Sequence, residues 1–183
     1  LFTQQLGYEY IYGPDIVRDY TEPLFLDRLQ QSLLAINPAL PAVAIQEAID
    51  KIRQIDTGSL VQRNEVFTDY LQNGVDVSYF NGEEQHSACV RLIDYDHPLH
   101  NNFVVANQWS IEEHSVRRAD IIVFINGLPL VVMELKSPSR TETNVSEAYA
   151  QLRNYMQEIP SLFVYNAFCV MSDLVTSKAG TIT

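Results

Sequence analysis

The sequence predicts an α/β protein (α+β in a looser scheme), built as a mixed central β-sheet flanked by helices with an N-terminal helical portion. Three observations carry this. Up to residue 73, apolar residues recur mostly at helical spacing between Pro, Gly and Asn breaks. From Val75 onward they alternate, or gather in short β-branched runs bounded by Asn-Gly turns. One more helical stretch, Asn144 to about Glu158, interrupts the strands.

The chain has 183 residues, within the range of one domain with a sizeable core. A 46% hydrophobic content and ten Tyr describe a folded protein, not a disordered one. No apolar run approaches the ~20 residues of a membrane span, and no signal peptide is visible. Cys89 and Cys169 lie far apart and form no metal or redox motif, and Cys169 sits in an apolar run as a core residue. A reducing, cytoplasmic setting fits. Net charge is −11, which argues against DNA binding as a default. The charge is uneven. Residues 1–99 hold 6 Lys+Arg and 15 Asp+Glu, a balance of −9, whereas residues 100–183 hold 6 and 8, a balance of −2.

In order, Leu6-Gly7-Tyr8-Glu9-Tyr10 reads as a helix end followed by a short extended piece. Thr21-Glu22-Pro23 reads as a helix start, with Thr21 as N-cap, and Asn37-Pro38 ends that helix. Pro41 opens a second helix with an apolar stripe to about Arg53. A short helix is expected from Asn64, as N-cap, to Leu71, stopped by Asn73-Gly74. Val75, Val77 and Tyr79 then alternate, Asn81-Gly82 turns the chain, and His86 to Asp94 returns. Phe103 to Ile111 is the next strand. The order suggests an antiparallel meander that continues into the central sheet. His97 and His100 flank Pro98 in a loop, and no Cys or carboxylate cluster completes a zinc site around them, so they are expected to be surface histidines. His86 and His114 read the same way. Leu162-Phe163-Val164-Tyr165 and Phe168-Cys169-Val170-Met171 are the last apolar segments, the second a strand of the main sheet. Residues 177–183 are expected to trail off.

The centre of the chain is residues 119–136, ADIIVFINGLPLVVMELK. Two β-branched runs flank Asn126-Gly127 and read as a hairpin whose open end carries Asp120, Glu134 and Lys136. Ionised groups are costly to bury unless paired or bound to a metal. Glu134 and Lys136 are two apart on a strand, so they share a face, about 7 Å apart along it. With Asp120 at the same end of the neighbouring strand, they form a site for a hard divalent cation such as Mg²⁺. Such an ion can activate water and steady a phosphodiester under attack. A two-residue turn would pair Ile125 with Leu128 and hence Asp120 with Met133, turning Asp120 away from Glu134. The site therefore requires either a three-residue loop or a β-bulge that restores the phase. Gln151 and Tyr155 lie four apart on one face of the following helix. Taken alone, Tyr155 reads as core and Gln151 as exposed.

Asp120, thirteen residues and then Glu134-Leu135-Lys136 resemble the PD-(D/E)xK nuclease motif, with Ala119 where the motif has Pro. Arg118-Ala119-Asp120, Asn126-Gly127-Leu128-Pro129-Leu130 and Glu134-Leu135-Lys136 resemble the restriction (R) subunit of type I restriction-modification enzymes. That family carries Gln-x-x-x-Tyr on the next helix, and Gln151-Leu152-Arg153-Asn154-Tyr155 matches it. The resemblance implies a restriction-endonuclease-like fold and Mg²⁺-dependent hydrolysis of double-stranded DNA, with Mn²⁺ as a substitute. It implies Asp120 and Glu134 as metal ligands, joined by the Leu135 carbonyl. It implies Lys136 as the residue that orients water or stabilises charge, with Gln151 and Tyr155 supporting the site or contacting DNA. It further implies methyltransferase and specificity subunits as partners, and ATP use only through a following motor domain. No G-x-x-x-x-G-K-[ST] loop occurs in these residues. Residues 1–183 are then one N-terminal endonuclease domain, with 1–73 helical and 74–183 the sheet-containing catalytic core. Two rivals stand beside this: a catalytically inactive nuclease-like module that docks partner subunits, and a metal-dependent nuclease of repair or recombination.

Overall fold

The computed structural model describes residues 2–136, 145–173 and 176–182. The chain opens with helix α1 (Phe2–Leu6) and strand β1 (Glu9–Tyr12), followed by helices α2 (Leu26–Ile36), α3 (Ala42–Arg53) and α4 (Leu60–Asn73). Strands β2 (Val75–Asn81) and β3 (Glu84–Val90) form a hairpin, and β4 (Phe103–Glu112), β5 (Val116–Ile125) and β6 (Leu128–Leu135) form a meander. Helices α5 (Val145–Glu158) and α6 (Pro160–Val164) precede β7 (Phe168–Ser172) and β8 (Ser177–Gly180).

The main sheet is mixed and runs β1-β4-β5-β6-β7-β8. β1 pairs parallel with β4, and β7 parallel with β6; the other neighbours are antiparallel. A parallel neighbour needs a long crossover, and α5 and α6 lie between β6 and β7 in the chain. This is the α/β architecture expected from the residue pattern. One apolar cluster joins the sheet residues Val104, Ile122, Phe124 and Val132 to Leu152, Tyr155 and Ile159 on the α5 side. A second joins α2, α3, α4 and the β2–β3 hairpin to Leu128 and Leu130 of β6. Among the described residues no helix is long and apolar enough to cross a membrane. Cys169 is buried, as its apolar run implies, and both cysteines are free.

Several local expectations are corrected. β2 and β3 form a two-stranded sheet of their own, so the meander does not run through them into the main sheet. The return strand ends at Val90, not Asp94, because the chain turns away into a connector whose backbone is held by buried side chains. Helix α2 starts at Leu26 rather than after Thr21. Thr21 instead donates its N–H and hydroxyl to Asp19 Oδ1, and residues 21–25 run as a loop. Helix α4 starts earlier than Asn64. Ser59 caps it, in a reciprocal capping box with Gln62, and Gly74 stops it. Asn64 lies inside α4 and donates its amide to the carbonyls of Val164 (2.9 Å) and Asn166 (2.8 Å), a tie no local pattern shows. Residues 177–180 form β8 instead of trailing off, by pairing with β7. Residue Asn144, where the sequence sets the start of this helix, lies outside the described residues.

The Asn126-Gly127 turn organises this end of the sheet. Both residues have positive φ, 53° and 81°, the conformation of a two-residue type I′ hairpin. Asn126 is fully buried. Its Oδ1 accepts from Asn102 N–H at 2.8 Å, and its Nδ2 donates to Leu92 O and Asn101 Oδ1, each at 2.8 Å. Gly127 lets α2 approach: Phe25 N–H donates to Gly127 O at 2.9 Å, and a Cβ on Gly127 would lie 2.5 Å from Leu29 N. Gly127→Ala combines a left-handed backbone with a clash against helix backbone. It should cost about 3 kcal/mol or more in denaturant unfolding, whereas Gly82→Ala, at a turn with open space around it, should cost about 1 kcal/mol.

Candidate active site

The turn and the site are out of phase unless β6 gains a residue. At the turn Ile125 pairs with Leu128 and Phe124 with Pro129. Beyond it Val123 pairs with Val131, Ile122 with Val132 and Ile121 with Met133. Leu130 is the extra residue, a β-bulge between two regular stretches. One step further along the same register sets Asp120 opposite Glu134, on one face of the sheet. The bulge alternative named from sequence is the one the structure takes.

Asp120 lies on β5, where Oδ2 accepts from the Leu135 N–H at 2.9 Å. Its Oδ1 faces Gln108 Nε2 at 3.4 Å, and its backbone carbonyl accepts from Asn107 Nδ2 at 3.0 Å. Glu134 is 2% exposed. Its Oε1 accepts from Lys136 Nζ at 3.0 Å, while Oε2 is buried and has no hydrogen-bond donor among the described residues. Native structures pair most of their buried polar atoms, so this oxygen is open to a proton shared with Asp120 or to a cation. Burial pushes the Glu134 carboxyl up to about 7. The negative charge of Asp120 adds to the rise, and Lys136 opposes it.

Lys136 follows β6, and its backbone N–H is held by Ser172 O on β7 at 2.8 Å. Its ammonium also donates to Gln151 Oε1. Gln151 Nε2 donates to the Tyr155 hydroxyl at 2.7 Å, and Tyr155 donates to Arg118 O at 3.2 Å. A relay thus runs from Glu134 through Lys136, Gln151 and Tyr155 back to β5. Tyr155 is buried, but Gln151 is not an idle surface residue: it bridges the ammonium and the phenol. The structure brings all five predicted side chains together, with Leu135 between Glu134 and Lys136.

Known proteins are similar to this chain in sequence. The family described as Type I restriction enzyme R protein N terminus matches residues 1–183. The chain belongs to that family. It is 37% identical to the HindI endonuclease subunit of a type I restriction enzyme from Haemophilus influenzae, over 98% of this chain and 18% of that protein. It is 30% identical to the MjaIXP protein of Methanocaldococcus jannaschii over the same shares. A Staphylococcus aureus type I restriction enzyme endonuclease subunit, SauMSSORF170P, is 27% identical over 96% of this chain. The chain therefore spans about 18% of the length of these relatives.

In this R-protein N-terminal region, two site neighbours escape sequence reading. Gln108 and Asn107 of β4 hold Asp120 from the other side. Gln108 has φ 57°, unusual for a residue with a side chain. At this point the buried positions skip from Ala106 to Trp109 on β4 and from Ala119 to Ile122 on β5, so both strands change phase beside Asp120. Gly13 packs against the bend, where a Cβ would meet Gln108 O at 2.5 Å. Nothing in the polar segment Asn107-Gln108 marks this.

The raised Glu134 carboxyl has a measurable consequence. The folded state holds this proton more tightly than the unfolded chain, whose ordinary value is 4.5. The stability it contributes is full below that value and is lost as pH rises through about 7. Glu134→Gln cannot ionise. In chelator, its stability relative to the unmodified chain should rise across that window, reaching a gain of up to about 3 kcal/mol above it. Urea melts of the two proteins at a series of pH values measure the difference, and a pH-independent difference would contradict the raised carboxyl.

Proposed function

We propose that this chain is the metal-dependent DNA-cleaving domain of a type I restriction enzyme R subunit, hydrolysing phosphodiester bonds of double-stranded DNA. The observation that carries the reading is Asp120 facing Glu134 across the bulge-corrected pair, with a buried oxygen on Glu134 that has no donor among the described residues. The donor set fits a hard cation: two carboxylates, with the Leu135 carbonyl as a third oxygen, match Mg²⁺ or Mn²⁺. When bound, such an ion supplies Lewis acidity and lowers the pKa of coordinated water.

The residues divide the remaining work. Asp120 and Glu134 would hold the ion, and the Leu135 N–H fixes the Asp120 carboxylate on β5. Lys136, anchored between Glu134 and Gln151, presents an ammonium beside the carboxylates, where it orients the attacking water or stabilises the charge that develops on the phosphate. Gln151 and Tyr155 position the lysine through their hydrogen-bond relay. A cleft of about 500 Å³ opens beside Lys136, lined by Arg117, Gln151, Asn154 and Tyr155 among others. DNA approaches along it. The basic residues here are few, so the fragment alone binds DNA weakly. DNA recognition then rests with the methyltransferase and specificity subunits, and ATP is used by motor domains elsewhere in the R subunit, in the cytoplasm.

Titration of Mn²⁺ into the chain and into Asp120→Ala is the direct test. The unmodified chain should bind, and the variant should lose more than about 100-fold in affinity. In the full-length R subunit assembled with its partners, Asp120→Ala, Glu134→Ala and Lys136→Ala should each abolish DNA cleavage while ATP hydrolysis persists. Cleavage retained in any of the three, or no Mn²⁺ binding to the unmodified chain, would sink the assignment.

A further inference from the structure

We infer that the connector between the β2–β3 hairpin and β4 carries a second metal site, built from Asp94, His97 and His100, that takes a borderline transition-metal dication such as Zn²⁺. The sequence placed these histidines on the surface with no carboxylate to complete a site. The structure keeps both rings on the surface but sets the buried carboxylate of Asp94 beside them. Asp94 is 4% exposed, whereas the His97 and His100 side chains are 68% and 64% exposed. His100 Nδ1 lies 3.1 Å from Asp94 Oδ2, and His97 Nδ1 lies 3.7 Å from Asp94 Oδ1. The two imidazoles lie side by side, with centroids 5.0 Å apart and planes 20° from parallel. One ligand atom from each residue falls within 4.8 Å of the others.

Tetrahedral zinc bonds of about 2.0–2.1 Å to nitrogen place ligand atoms about 3.3 Å apart. The exposed rings need only a small swing to close on an ion. The carboxylate beneath them is already fixed. Asp94 N–H donates to Asn101 Oδ1 at 2.9 Å, Asp94 O accepts from Asn101 Nδ2 at 2.9 Å, and Asp94 Oδ1 accepts from His97 N–H at 3.0 Å. Asn101 is itself held by Asn126 of the β5–β6 turn. The connector is therefore preorganised through a buried amide network, which is what a metal clip needs from its scaffold. Arg91 is the competing cation, with Nη1 at 3.9 Å from Asp94 and 3.5 Å from the exposed Asp96.

Ligand chemistry separates this site from the one at Glu134. Two imidazoles with one carboxylate suit Zn²⁺, Co²⁺ or Ni²⁺, whereas the all-oxygen set of Asp120 and Glu134 suits Mg²⁺ or Mn²⁺. Three protein ligands leave one position for water. An ion here would clamp the connector that joins the hairpin to the main sheet.

The test is titration of Zn²⁺ and Co²⁺ into the chain, into His97→Ala/His100→Ala and into Glu134→Gln. Calorimetry follows Zn²⁺, and visible absorption follows the d–d bands of Co²⁺. The unmodified chain should bind Zn²⁺ saturably and show Co²⁺ bands. The double histidine variant should lose that equivalent and the bands, and Glu134→Gln should keep both. Both rings are exposed, so the double variant should keep the far-ultraviolet dichroism and urea midpoint of the metal-free parent. His97→Gln/His100→Gln, tested beside it, should lose binding equally. Absence of Zn²⁺ binding to the unmodified chain, or binding undiminished in the histidine variants, would overturn the site. Neither result bears on Mn²⁺ binding at Asp120.

Discussion

Two carboxylates held face to face on neighbouring strands repel one another, and the fold keeps Asp120 and Glu134 in that position. Neither can turn away. Asp120 is held by the Leu135 N–H and lies beside Gln108, whose backbone has a positive φ. Glu134 is enclosed at 2% exposure, with one oxygen on Lys136 and the other without a donor among the described residues. A polar atom left without a partner in the interior costs free energy. Proteins retain such arrangements where a ligand or a reaction uses them. The same enclosure raises the proton affinity of Glu134, burial first and the charge of Asp120 adding to it.

The position of the pair depends on events at the other end of the hairpin. The Asn126-Gly127 turn starts β6 out of phase, and the bulge at Leu130 corrects it. The turn itself is set by Asn126, whose side chain is consumed by Asn101, Asn102 and Leu92, and by the close approach of α2 to Gly127. The same amide network fixes the connector that carries Asp94. One buried asparagine therefore supports both the register of the hairpin and the geometry of the histidine loop.

The electrostatic field has a related asymmetry. The acidic excess lies in the first 99 residues, whereas the β5–β6 hairpin and α5 belong to a nearly neutral half. Arg117 beside the cleft is already paired with Glu158, which raises its proton affinity and reduces what it offers a phosphate. A surface of this kind attracts DNA weakly.

Much of this was readable in the residues. Asn-Gly between two β-branched runs identified the hairpin, and period-two alternation showed that a plain two-residue turn would misplace Asp120, so a bulge or longer loop was required. The four-residue spacing of Gln151 and Tyr155 placed them on one helix face. These are local properties, set by steric preferences over a few residues. Sequence left open which of the two corrections the hairpin uses, and it missed the true start of α2, the strand at 177–180, the bend at Gln108 and the aspartate under His97 and His100. Each of these depends on a partner distant along the chain or on packing between elements: Phe25 on Gly127, β8 on β7, Gln108 on Gly13, and Asp94 on Asn101 and Asn126. The sequence by itself determined the kinds of element and the chemistry carried at the hairpin mouth, because periodicity and side-chain type are written residue by residue. Only the tertiary structure decided which buried polar groups meet, because hydrogen bonds between distant segments are chosen by packing, which no local pattern records.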